Sequence, residues 1–183
     1  MLHEHFKKIG MIARWKPVHI GQAMVLRALC DHAEHAFIGI GSSNRYNARN
    51  PFSLEETQDM LHLALHGCGN YTLIPVPDLD DGPRWRVMVM ELFGNLDLFV
   101  TDNPYVTSLL RNDFRIIRPV ELIPSEEHVR IDGAMVRAMI ARGEEWQAWV
   151  DERCGLYIQK NKLDERFRRE FGLETLALTT IIR

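Results

Sequence analysis

What most constrains the fold of this chain is an alternation, kept up from one end to the other, between short apolar runs and longer stretches with apolar residues at helical spacing. Such a pattern builds βαβ units. Residues 9–13, 35–40, 71–75, 96–100 and 115–119 read as strands, and residues 22–32, 86–93 and 105–111 as helices between them. Ser53, with Glu56 three positions later, opens a further helix with a capping box ahead of Met60, Leu61 and Leu65. The expected fold is α/β, a mostly parallel sheet of about five strands flanked by helices. Its ligand crevice should lie beyond the carboxyl ends of the strands, at the switch point. Residues 133–141, 144–150 and 153–171 are helical in pattern and charged on one face, which suits a packing and interface segment. Glu34 and His35 suit a solvated helix end, and the charged run 160–170 an exposed helix face. The apolar run 176–182 suits an edge strand or an oligomer contact.

A chain of 183 residues, 46% hydrophobic, can bury one core and is short for two. One domain spanning residues 1–183 is expected, an α/β core over 1–150 with a C-terminal extension over 151–183. The formal charge is -3, from 22 basic and 25 acidic residues spread along the chain, so there is no basic field for nucleic acid and any anion must be met by local arginines. Cys30, Cys68 and Cys154 are odd in number, far apart in sequence and outside any C-x-x-C pair, and read as buried or free thiols in a reducing compartment. Nowhere do about 18 apolar residues follow one another, and no apolar run follows a basic start. The expectation is a soluble, cytoplasmic protein without membrane contact. His3, His5, His32, His35, His62, His66 and His128 form no H-E-x-x-H or comparable set, so no structural transition-metal site is expected.

The loop after the first strand holds Arg14, Lys16, Pro17, His19 and Gly21 just before a helix. Backbone N–H groups and the positive helix end attract phosphate, Gly21 lets the backbone approach closely, and Lys16 or His19 can donate to phosphate oxygens. Taken alone, this describes a generic anion site.

The run from Ile9 through Ala13, Arg14, Lys16, Pro17, His19 and Gly21 to Gln22 resembles the opening G-R-F-x-P-x-H-x-G-H segment of the nucleotidylyltransferases, and within them of the archaeal-type nicotinamide-nucleotide adenylyltransferases. Ile38, Gly39, Ile40, Gly41 and Ser42, then Arg49, Asn50, Pro51, Phe52 and Ser53, are similar to the family's I-G-I-G-S and N-P-F-T stretches. Asp78 and Trp85 keep the spacing of its mononucleotide segment. Thr101, Asp102 and Asn103 resemble the loop after its fourth strand, and Ile131, Asp132, Gly133, Ala134 and Arg137 its late I-S-x-T-x-x-R motif. The resemblance covers roughly residues 9–150, with the motifs in order.

It implies a Rossmann-like nucleotidylyltransferase fold and in-line attack of a pyridine mononucleotide phosphate on the α-phosphorus of ATP. A dinucleotide and pyrophosphate result, magnesium enters with ATP, and no side chain becomes covalently attached. His19 and Gln22 would face the α-phosphate, Arg14 and Arg137 the triphosphate, and Arg49 the mononucleotide phosphate. Ala13, Lys16, Gly21, Gly41, Ser42, Asp102, Asn103 and Asp132 would line the nucleotides. Trp85 would stack on the pyridine ring while Asp78 orients its amide. A homo-oligomer is also implied.

The departures fall on the catalytic motifs. Gln22 replaces the second His, Asp132 and Ala134 replace Ser and Thr, Ala13 replaces a Gly, and Thr57 stands where Arg is common. Gln22 keeps two amide donors but no charge, a loss of about 1.5–3 kcal/mol if a charged donor is needed. A carboxylate at position 132 repels a triphosphate unless a metal, a proton or Arg130 intervenes. Two alternatives therefore stand beside the adenylyltransferase reading: a nucleotidylyltransferase for another phosphate acceptor, and a nucleotide-binding regulatory homologue that has lost turnover.

Overall fold

The computed structural model describes residues 4–180, with the side chains of 179 and 180 excepted. They fall into two compact units, each built from several stretches of chain. The first comprises residues 4–13, Met24–Asn44 and Gly67–His128, and the second Arg14–Ala23, Arg45–His66 and residues 129–180.

The first unit contains the sheet. Strands β1 (Phe6–Ala13), β2 (Ala33–Gly41), β3 (Tyr71–Val76), β4 (Leu98–Val100) and β5 (Ile116–Ile117) are ordered β3-β2-β1-β4-β5, and all four pairings are parallel. The order reverses between β1 and β4, and this is the switch point. Most of α1 (Ile20–Asp31), together with α3 (Gly82–Phe93) and α4 (Pro104–Leu110), belongs to this unit. Val76, Val89, Phe93, Phe99, Leu110 and Phe114 form a buried cluster on which Trp85 is partly packed. The aromatic pair Phe99 and Phe114 stacks at 5.6 Å inside it. The near-continuous apolar strands reflect burial on both faces, as a parallel sheet demands.

Several expected boundaries move for local reasons. The first helix begins at Ile20, not at residue 22, so Gly21 and Gln22 lie in its first turn. Helix α3 begins at Gly82 because Asp81 caps it, accepting from the Arg84 N–H at 2.9 Å, with Pro83 in the first turn. Strand β4 is shortened to three residues because the Asp97 carboxylate turns back to accept from the Lys7 and Lys8 N–H groups at 2.9 Å each. Glu34 and His35 are not a helix end. They lie in β2, where His35 Nε2 meets Thr72 Oγ1 at 2.8 Å across to β3.

The second unit is helical: α2 (Leu54–Ala64), α5 (Gly133–Arg142), α6 (Glu152–Lys160) and α7 (Leu163–Thr180). The Ser53 capping box at α2 forms as expected, with Ser53 Oγ accepting at 3.1 Å and Glu56 reaching back at 2.9 Å. Residues 144–150 are not a helix. Gly143, left-handed at φ 70, ends α5, and only the 3-10 turn Gln147–Trp149 follows. Trp146 and Val150, whose spacing imitates a helical stripe, are separate buried anchors.

The expected helix over 153–171 is two helices, divided where Asn161 ends α6 and Lys162 takes a left-handed φ of 53. Residues 176–180 belong to α7 and not to an edge strand: Leu163, Phe167 and Thr175, four and eight residues apart, are buried along one face of that helix; residues 181–183 lie outside the described residues. Nor is the charged run 160–170 wholly solvated. Arg166 grips Glu56 with two bonds of 2.6 and 2.7 Å and donates to the Pro51 carbonyl at 3.1 Å. Among the described residues no helix is long and apolar enough to cross a membrane.

Candidate active site

The cradle loop and its charged neighbours lie within the second unit. Trp15, Lys16, Pro17, Val18 and His19 are all buried, whereas Arg14 is exposed. Trp15 is fully buried at φ 56, a left-handed conformation that costs an aromatic residue free energy and persists only where packing holds it. Lys16 is 2% exposed, so it is placed as a buried residue whose carbonyl is used: that oxygen accepts from Arg137 Nη1 at 2.9 Å. Asp151 N–H donates to the Val18 carbonyl and Val150 bridges antiparallel to His19, which makes the segment after α5 part of the cradle's support.

His19 caps α1. Its Nδ1 accepts from the Gln22 N–H at 3.3 Å, and Gln22 Oε1 accepts from the His19 N–H at 3.4 Å. This is the reciprocal arrangement of a capping box, with imidazole where a hydroxyl usually stands. Burial lowers the His19 pKa from 6.5 to about 4, with Asp132 opposing that shift and Arg137 reinforcing it. The ring is therefore neutral near pH 7. With Nδ1 accepting, its proton resides on Nε2, which is left as a donor.

Arg137, buried on α5, is the centre of the positive charge. Its pKa falls from 12.5 to about 10 through burial and the repulsion of Arg14 and Arg49, partly offset by Asp132. Arg14 and Arg49 thus act on Arg137, and Arg137 acts in turn on the neutral His19 at the start of α1. A Cβ on Gly133 would stand 3.0 Å from Arg137 Nη1, so the glycine leaves room for the guanidinium to reach the Lys16 carbonyl. Asp132 is the N-cap of α5, with Oδ1 accepting from the Met135 N–H at 2.8 Å. Ser and Asp are interchangeable as caps, which explains how a carboxylate is accommodated at that position.

The remaining sequence candidates lie in the first unit. Ala13 ends β1 opposite Ile40, and Gly41 ends β2. Ser42 takes a left-handed φ of 52, and the next N–H, of Ser43, donates to the Val76 carbonyl. Asp78 is held through its backbone by a residue the sequence reading passed over: Asn44 Nδ2 donates to the Asp78 carbonyl at 3.0 Å, and Asn44 Oδ1 accepts from the Asp78 N–H at 2.8 Å. Trp85 is half-buried against the apolar cluster. Asp102 is exposed, whereas Asn103 is engaged as the N-cap of α4, accepting from the Tyr105 N–H at 2.9 Å. Exposed Tyr105 packs so closely on α3 that a Cβ on Gly82 would collide with its hydroxyl.

No protein-family model matches the chain. Whole-chain comparison finds curated relatives: it is 29% identical over 163 residues to a nicotinamide-nucleotide adenylyltransferase of Thermococcus onnurineus, covering 86% of this chain and 84% of that one. It is 28% identical over 144 residues to the enzyme of the same name from Methanococcus vannielii, covering 78% and 82%. Over most of its length the chain is thus similar to nicotinamide-nucleotide adenylyltransferases. Among solved structures it is similar to a bifunctional NMN adenylyltransferase/ADP ribose pyrophosphatase of Francisella tularensis, complexed with AMP and a manganese ion. The TM-score is 0.67 at 17% identity, over 90% of this chain and 52% of that one. The chain thus spans about half of that protein, and the likeness is one of fold. The Rossmann-like expectation holds, and the parallel five-stranded sheet is its core.

Proposed function

We propose that this protein transfers the adenylyl group of ATP to nicotinamide or nicotinate mononucleotide, giving NAD or its deamido form and pyrophosphate. The names of the archaeal relatives support the reaction. The observation that supports it is Arg137, buried on α5, which feels the charges of Arg14 and Arg49 and itself acts on His19, the cap of α1. Burial lowers the Arg137 pKa and the like charges of Arg14 and Arg49 lower it further; a bound polyanion relieves that repulsion.

In this reading the mononucleotide phosphate attacks the α-phosphorus in line and pyrophosphate leaves. Arg14 and Arg137 neutralise the triphosphate, and Arg49 meets the attacking phosphate. His19 donates its Nε2–H to the phosphoryl oxygen on which charge develops; as a neutral donor it needs no proton from solvent. Gln22 acts through His19 and not as a substitute cation. The donor set is arginine-rich with Asp132 as its carboxylate, which fits a divalent cation that arrives coordinated by the triphosphate, as part of the substrate. Asp78 and Trp85 are assigned to the pyridine end, with Ser42, Asp102 and the backbone around Gly41 along the nucleotide. A cytoplasmic homo-oligomer fits the soluble composition and the apolar C-terminal stretch.

The test is to incubate purified protein with ATP, magnesium and each mononucleotide and follow pyrophosphate. Release with either one is expected, and no product above background with both would overturn the proposal. A second reading, nucleotide binding without turnover, draws on Asp132, whose negative charge sits among the arginines. Tight ATP or NAD binding in the same protein without pyrophosphate release would select it.

A further inference from the structure

The three cysteines are distant in sequence, but the fold brings two of them together at a place the proposed reaction does not use. Cys30 lies at the end of α1 and is buried; Cys68 lies in the link between α2 and β3 and is half-buried. Both belong to the first compact unit. The link is strapped down beside Cys30 by its own backbone neighbour. Asn70 Nδ2 donates to the Cys30 carbonyl at 2.9 Å and to the Ala33 carbonyl at 2.8 Å, and the Asn70 carbonyl accepts from the Ala36 N–H at 2.8 Å. Two residues before that anchor stands Cys68, whose thiol is near enough to the Cys30 thiol to raise its pKa.

The surroundings leave the pair room to adjust. Gly67 and Gly69 flank Cys68, and a Cβ on either would meet nothing within 4 Å. Gly67 holds a φ of 94, which only glycine adopts at little cost. The Cys68 backbone can therefore make the small movement that disulfide geometry requires, while Cys30 stays fixed in its helix.

We propose that Cys30 and Cys68 are a reversible dithiol–disulfide pair, oxidised by a low-molecular-weight disulfide such as oxidised glutathione. The more accessible Cys68, as thiolate, attacks the small disulfide and expels one small thiolate, leaving a mixed disulfide on Cys68. The Cys30 thiol then gives its proton to that expelled thiolate, and its sulfur attacks Cys68 Sγ and expels the second small thiolate, which takes up the proton that Cys68 released on ionising. The protein loses two electrons and two protons, and one small disulfide becomes two thiols. Burial, with Cys68 adding to it, pushes the Cys30 thiol up to about 12, which assigns Cys30 the resolving rather than the attacking role. The product fastens the α2–β3 link to the end of α1.

The test uses the full chain treated with oxidised glutathione, alkylated under denaturing conditions, and analysed by intact mass and tryptic mapping. The expected result is a mass lower by two hydrogens, a linked peptide joining Cys30 to Cys68, and reversal by dithiothreitol. Cys68→Ser should abolish the link, Cys30→Ser should leave a stable glutathione adduct on Cys68, and Cys154→Ser should change nothing. Oxidised wild-type protein that stays unmodified, keeps its adduct on Cys68, or joins Cys154 instead would overturn the proposal.

Discussion

Helices α1 and α5 both begin in the second compact unit, and their starts are capped in opposite ways. At α1 the cap is a buried, neutral imidazole closed by an uncharged amide. At α5 it is an exposed carboxylate. Both satisfy the backbone N–H groups that a helix start leaves open. They differ in what remains for a ligand: the neutral cap leaves the positive helix end of α1 uncancelled, whereas Asp132 supplies α5 with an anion of its own. Capping and anion binding are therefore separable duties, and Arg137, one turn into α5, is drawn by Asp132 while Arg14 and Arg49 repel it.

If the arginines are what the α1 start works with, removing the buried one should have the largest effect. Arg137→Met keeps much of the side-chain volume and drops the guanidinium. It is expected to lower kcat/KM for pyrophosphate release by about 100-fold to 1000-fold. A loss below tenfold, with a fallen thermal midpoint, would assign Arg137 to folding through its bond to the Lys16 carbonyl.

The neutral cap comes next. His19→Ala should reduce kcat by about 100-fold, the scale of one lost donor to a developing oxyanion. Its pH dependence is the sharper test. Because the folded-state pKa lies at about 4, below the ordinary 6.5, kcat/KM should be level through pH 6.5, with an acid limb only near the lower value. Stability should follow the same window. Above pH 6.5 both states are neutral at this residue; between 6.5 and about 4 the unfolded chain takes up the proton first, so stability falls as pH falls, and His19→Ala should remove that part of the loss. A kcat/KM break at pH 6.5 that vanishes in His19→Ala would show a cation at the cap and undo the contrast.

The two helix starts also show what the sequence could carry. The sheet was legible because parallel strands buried on both faces are written as continuous apolar runs, and Ser53 with Glu56 announced α2 in hydroxyl and carboxylate. The H-x-x-Q spacing of His19 and Gln22 carries the same reciprocal pattern, but with a histidine in the hydroxyl's place it reads as a pair of phosphate donors. Asp132, ahead of a helical run, is an ordinary N-cap signal, obscured because a carboxylate conflicts with a phosphate site. Val150 could not be read locally at all: its role depends on the cradle loop that it meets at His19, over a hundred residues away in the chain. The Cys30 and Cys68 contact was hidden for the same reason.

Exchanging the α5 cap tests whether its charge matters. Asp132→Ser keeps a capping side chain and removes the carboxylate, so the thermal midpoint should change little while kcat/KM rises by about tenfold, the effect of about 1.4 kcal/mol of relieved repulsion. It should also move the acid limb of His19 lower, because Asp132 is what holds that pKa up. No gain in kcat/KM would mean that the carboxylate is screened from the triphosphate.

The smallest expected effect separates the two duties at α1 itself. Gln22→Met removes the oxygen that accepts from the His19 N–H but leaves the Gln22 backbone N–H, which is the group bonded to Nδ1. The tautomer of His19 should therefore survive, visible as unchanged imidazole nitrogen shifts, while unfolding free energy falls by about 0.5–1 kcal/mol, the scale of a lost cap. Gln22→Glu retains the acceptor and should restore most of that stability, yet it places a carboxylate at the one helix start that the native sequence keeps uncharged. Activity below that of Gln22→Met in the better-capped Gln22→Glu protein is the result the contrast requires; equal activities would mean that the charge of the α1 cap is immaterial to the reaction.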